Sequence, residues 1–105
     1  MEKIVERLIK FRDDRNWKQF HTPNNLAKSI AIESSELLIN YQFDNYYFEL
    51  DNVKDELADI MAYCLMLSDH YGFDIEEIMN EKINKNEVKY PVDKAFGKAN
   101  KYNNL

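Results

Sequence analysis

Apolar positions recur with the period of an α-helix along most of the chain. Ile4, Leu8 and Phe11 are spaced i, i+4, i+7, Arg15 continues the row, and Glu2, Lys3, Glu6, Arg7, Lys10 and Asp14 fill the other positions, which predicts one amphipathic helix. Residues 16–21 break the period and read as a connection. Thr22-Pro23 follows, a side-chain cap and a residue preset for the first helical position, predicting a second helix over about 24–41. Residues 40–51 carry Tyr41, Phe43, Tyr46, Tyr47 and Phe48 and read as a helix end plus loop. A third helix is expected over about 52–71, with Gly72 as the residue just past its end. Asp74 with Glu77 makes a capping-box-like start for a fourth helix over about 75–88, and Pro91 stops it. The polar tail, 92–105, is expected to order against a partner.

Composition narrows the classes. With Gly 2 and Pro 2 the chain lacks the turns of an all-β fold, and it has no glycine loop for a phosphate. At 105 residues, 45% hydrophobic and 31% charged, it is expected to be one globular domain over 1–105, an all-α bundle of four to five helices. A net charge of −5 disfavours nucleic acid and acidic membranes as partners, although a divalent cation could still bridge the chain to a phosphorylated ligand. The single cysteine, Cys64, forbids an intrachain disulfide and reads as a packed thiol in a reducing compartment. No signal-peptide core and no long apolar run is visible, so a soluble, cytoplasmic protein is expected.

The informative feature is acid on apolar helices. In the second helix Leu26, Ala27, Ile30, Ala31, Ile32, Leu37, Leu38 and Ile39 cover most of the circumference, so the helix should be largely buried, yet Glu33 and Glu36 share a stripe with Ser29 and Asn40. The third helix repeats the conflict: Glu56 and Asp59 sit among Ile60, Met61, Cys64, Leu65 and Leu67, one turn before Tyr63. Across an antiparallel seam four carboxylates would converge, and uncompensated they would protonate or push the helices apart. A hard divalent cation removes that cost. A Glu-x-x-Glu pair alone is usually a solvated face, and a di-iron site would want Glu-x-x-His pairs, whereas His21 and His70 lie elsewhere.

With Glu33-x-x-Glu36 and Glu56-x-x-Asp59 in place, the chain resembles the MazG-like superfamily of all-α nucleoside triphosphate pyrophosphohydrolases, and more specifically its dCTP pyrophosphatase-like branch. The matching stretches run in order from Trp17-Lys18-Gln19-Phe20-His21-Thr22-Pro23-Asn24-Asn25-Leu26 through Asp55-Glu56-Leu57-Ala58-Asp59 to Lys82-Ile83-Asn84-Lys85-Asn86, Lys89-Tyr90-Pro91-Val92 and Lys101-Tyr102. The resemblance implies that Glu33, Glu36, Glu56 and Asp59 ligate Mg²⁺, with Mn²⁺ as a substitute. It implies that Trp17, His21 and Phe43 line a base pocket, that Tyr63 lies beside the metal, and that Lys82 and Asn86 reach the phosphates. It also implies a homo-oligomer, dimer or tetramer. Ile32 stands where the wider superfamily often has a further Glu, and Phe43 where it commonly has Trp.

The activity so implied is hydrolysis of dCTP or a related nucleotide to monophosphate and pyrophosphate, with Glu33 and Glu36 as catalytic residues and Glu36 the carboxylate that orients or deprotonates the attacking water. Two rivals stand beside it. One is a pyrophosphatase for another nucleotide, such as dUTP or a modified base. The other is a catalytically silent helical interaction protein on the same fold, with the aromatic loop as its docking face.

Overall fold

A computed structural model describes residues 1–42 and 49–105. These fall into two compact units, 1–73 and 74–105. Among the described residues there is no strand.

The first unit holds α1 (Glu2–Asp14), a 3-10 turn (Lys18–Phe20), α2 (Pro23–Ile39) and α3 (Leu50–His70). α1 ends because Asn16 takes a left-handed φ of 54°. The Asn16 N–H then bonds the Asp13 carbonyl and the Trp17 N–H the Arg12 carbonyl, a Schellman closure. Gly72, at φ 70°, closes α3 the same way, with Phe73 N–H donating to the Ser68 carbonyl. The start of α2 is as expected: Thr22 Oγ1 accepts from the Asn25 N–H at 3.2 Å, ahead of Pro23. Asn25 Nδ2 also donates to the Phe20 carbonyl at 2.9 Å, tying the connection to the helix.

α2 packs chiefly on α3, and α1 on α3. Leu26, Leu65 and Met66 form the buried core, with Leu26 only 2% exposed. Leu26→Ala should therefore lower unfolding free energy by about 2–5 kcal/mol, read from the urea midpoint at unchanged slope. A change within 0.5 kcal/mol would show that this contact does not hold the unit together.

Two expectations about burial need correction. The buried face of α1 runs Val5, Leu8, Ile9 and Arg12, one residue round from the predicted row, while Ile4 and Phe11 are exposed. Phe11 turns outward because Arg15 and Trp17 claim it: the guanidinium carbon lies 3.7 Å from its ring centroid and the indole stands edge-on at 5.7 Å. α2 is also less buried than its composition predicts, for Ile32 is 57% and Ile39 62% exposed. Within one chain α3 covers a single side of it, and the all-round apolar surface exceeds what that side can take.

The second unit holds α4 (Ile75–Lys89), the short α5 (Val92–Ala95) and a 3-10 turn (Tyr102–Asn104). Asp74 caps α4 by accepting from the Glu77 N–H at 3.0 Å, as its spacing predicts. The tail is more structured than its polarity implies, because Tyr102 packs edge-on against Tyr90 at 6.3 Å with Lys89 Nζ 5.1 Å from its ring.

Candidate functional site

α2 and α3 run antiparallel. Glu33 on α2 meets Glu56 and Asp59 on α3, while Leu26, earlier on α2, shares a cavity with Met66, later on α3. That register sets carboxylates from two helices at one level. One oxygen each from Glu33, Glu56 and Asp59 lie within 4.8 Å of one another. Glu33 and Glu56 are half-buried, Asp59 is exposed, and Glu36 is an exposed neighbour of Glu33 outside that set.

Two atoms decide the chemistry. Glu33 Oε2 and Glu56 Oε2 are buried and have no hydrogen-bond donor. Carboxylate oxygens only accept, so these can satisfy each other only if a proton or a cation stands between them. Without a cation, a proton takes that place below about pH 7. Burial, hydrogen bonding with Glu56 and Glu36, and the charges of Glu36 and Asp59 push the Glu33 carboxyl from 4.5 up to about 7.

The donor set is all carboxylate oxygen, which suits a hard divalent ion rather than a soft one. Oxygens bound to one Mg²⁺ at about 2.1 Å sit roughly 3 to 4 Å apart, so the observed spread needs only a small contraction. Because Glu33 must give up its proton to bind, cation affinity should rise with pH up to about 7 and level off above it. Calorimetry in buffers of different ionisation enthalpy should show proton release at pH 6 and little at pH 8. Equal release at both would contradict a shared proton.

Tyr63 lies one turn beyond Asp59, and its hydroxyl is held protonated by burial and by the charges of Glu33, Asp59 and Glu36, with Ser29 acting in the opposite sense. It therefore offers a donor beside three carboxylates. Trp17 is partly exposed and stands edge-on to His21, with ring centroids 6.5 Å apart. His21 lines the cavity that Leu26 and Met66 share, so it sits along the same α2–α3 seam. Phe43, expected on the base, lies outside the described residues, as do Tyr46, Tyr47 and Phe48 of the aromatic loop. Lys82 and Asn86 are exposed on α4 in the second unit, one turn apart. Cys64 is a half-buried thiol whose burial pushes its pKa up, which fits an inert packed group.

Sequence reasoning missed Arg12. It is 7% exposed, its Nε donates to Asp13 Oδ1 at 2.9 Å, and its Nη1 lies 3.7 Å from Asp69 Oδ2 on α3. The available signal was its place in the row Val5, Leu8, Arg12, a charge at a core position.

The chain is 28% identical to dCTP pyrophosphatase 1 of Mus musculus over 114 aligned positions, covering 100% of this chain and 67% of the mouse protein. It is 26% identical to dCTP pyrophosphatase 1 of Homo sapiens over the same share of each chain. The crystal structure of a pyrophosphatase from Archaeoglobus fulgidus superposes with a TM-score of 0.81 at 38% identity, covering 87% of this chain and 92% of that one. The sequence pattern of the MazG-like family matches residues 27–105, which takes in both acidic pairs. The chain belongs to the MazG-like family.

Proposed function

We propose that this protein, a nucleotide pyrophosphatase of the MazG-like family, is Mg²⁺-dependent and hydrolyses a deoxynucleoside triphosphate such as dCTP to monophosphate and pyrophosphate. The observation that carries the metal dependence is the meeting of Glu33, Glu56 and Asp59, with two buried oxygens lacking any donor. When bound there, Mg²⁺ supplies neutralisation of the triphosphate and polarisation of the phosphorus under attack.

The chain's own groups do the rest. Glu36, exposed beside Glu33, accepts a proton from the water that attacks the α-phosphorus. The P–O bond to the β-phosphate breaks and pyrophosphate leaves. Tyr63, kept protonated, donates to a phosphate oxygen. Trp17 and His21 take the nucleoside, as does Phe43. Lys82 and Asn86 are assigned contacts to the leaving pyrophosphate on family resemblance alone.

The same account makes the protein a homo-oligomer in the cytoplasmic nucleotide pool. Support for assembly comes from apolar rows left exposed on α2 (Ile32, Ile39) and α3 (Leu57 47%, Met61 53%), which a second copy could cover. Among the described residues, no helix is long and apolar enough to cross a membrane.

A panel of nucleoside triphosphates with Mg²⁺, scored for pyrophosphate and monophosphate, tests the activity. The expected result is cleavage between the α- and β-phosphates, fastest for dCTP. Preference for dUTP or a modified base would correct the substrate. Absence of turnover across the panel, with no heat on mixing Mg²⁺ and a non-hydrolysable triphosphate, would favour the silent interaction protein.

A further inference from the structure

Away from the carboxylates, the first unit has a partly open cavity of about 300 Å³ with Arg12, Lys18, His21, Asp69 and His70 in its wall, Leu26 and Met66 adding apolar surface. Leu26 precedes Glu33 by seven residues and Met66 follows Asp59 by seven, so the cavity lies about 10 Å along the seam from the carboxylates. That is the reach of a nucleoside from its α-phosphate.

Arg12 is fixed there. Its guanidinium bonds Asp13 at 2.9 Å and faces Asp69 at 3.7 Å, with only 9% of the side chain exposed. His21 lines the same cavity, and its Nδ1 is buried with no partner. The charged and titratable groups that share this cavity with the ring are Arg12 from α1, Lys18 from the preceding turn, and Asp69 and His70 from α3. α2 contributes uncharged Leu26. Arg12 shares its charge with Asp13 and Asp69, and burial of the ring adds to what remains of that charge in opposing protonation of His21.

We propose that Arg12 is a positioning residue: paired with Asp69, it keeps the His21 ring neutral, so that a ring nitrogen accepts a hydrogen bond from a donor on the nucleoside end of the substrate. Burial and the Arg12 charge both push the His21 pKa down, in agreement with this geometry. Only the identity of the ligand rests on the nucleotide pyrophosphatase reading. The coupling of Arg12 to His21 does not.

The test is an NMR titration of His21 in the full chain, His70 being distinguished by His70→Gln, alongside nucleotide kinetics from pH 5.5 to 8. Arg12→Gln should move the His21 midpoint up, and Asp69→Asn, which leaves Arg12 less neutralised, should move it down. Arg12→Lys should restore the wild-type midpoint in part. For Arg12→Gln the KM for dCTP relative to wild type should be raised about threefold or more at pH 6, and that ratio should shrink towards pH 8. Opposite shifts from two partners of one ion pair cannot come from loosened packing alone. Unmoved midpoints, shifts of the same sign, or a KM ratio flat with pH would each overturn the proposal. A wild-type protein that turns over no nucleotide overturns the proposed function instead, and the titration then decides the Arg12–His21 coupling by itself.

Discussion

Glu33→Gln lowers nucleotide hydrolysis by more than about 100-fold and leaves the cation-free protein at least as stable at pH 8 as the parent. The two halves of this result come from one cause. Glu33 supplies a buried oxygen to the set completed by Glu56 and Asp59, and loss of a ligand should cost more than the roughly 10- to 100-fold typical of groups that only support one. Without a cation that same carboxylate is a liability. Its folded-state pKa, about 7, lies above the ordinary 4.5, so the folded protein holds the proton more tightly than the unfolded chain. Stability of the cation-free protein therefore falls as pH rises between those values, and the loss is complete above pH 7. Glutamine removes the charge that causes it. Kinetics with dCTP and Mg²⁺, set beside urea unfolding in a chelator at pH 5 and pH 8, measure both halves. An ordinary structural residue would lose stability on replacement, and a solvated surface Glu would change neither quantity.

Mg²⁺ alone raises the melting temperature of the wild-type protein at pH 8 by roughly 10–20 °C when present at about 100 times its dissociation constant. A ligand that binds only the folded state contributes about 2.7 kcal/mol at that excess, and each kcal/mol shifts the midpoint of a domain this size by about 4–8 °C. The shift should shrink at pH 5, where Glu33 carries its proton, and vanish in Glu33→Gln. Scanning calorimetry with and without Mg²⁺ reads this directly. An equal shift at pH 5 and pH 8, or one retained in Glu33→Gln, would place the ion elsewhere on this acidic chain.

The helices were legible in the sequence because their signals are local. Thr22-Pro23, Asp74 with Glu77, and Gly72 each act within one turn, and each caps or closes a helix at the expected place. The meeting of Glu33 with Glu56 and Asp59 was legible because an acidic pair recurs on two neighbouring apolar helices; a single such pair is usually a solvated face, and Glu36 indeed stands exposed outside the set. What the sequence hid depends on rotation and on long-range partners. Phe11 fits the apolar row of α1 as well as Val5 does, and only the Arg15 and Trp17 contacts turn it outward. Arg12 reads as a solvated charge until Asp69, distant in sequence, comes within ion-pair range. Exposure of Ile32 and Ile39 likewise follows from how much surface α3 can cover, a quantity that periodicity along α2 does not contain.

The most direct measurement is anomalous diffraction from crystals of the protein soaked with Mn²⁺ as a stand-in for Mg²⁺. A peak within coordination distance of Glu33, Glu56 and Asp59, lost in Glu33→Gln, is the result expected here. A peak bound by other carboxylates, or these three side chains turned apart into solvent with Mn²⁺ present, would contradict the metal centre and with it the hydrolytic mechanism built on it.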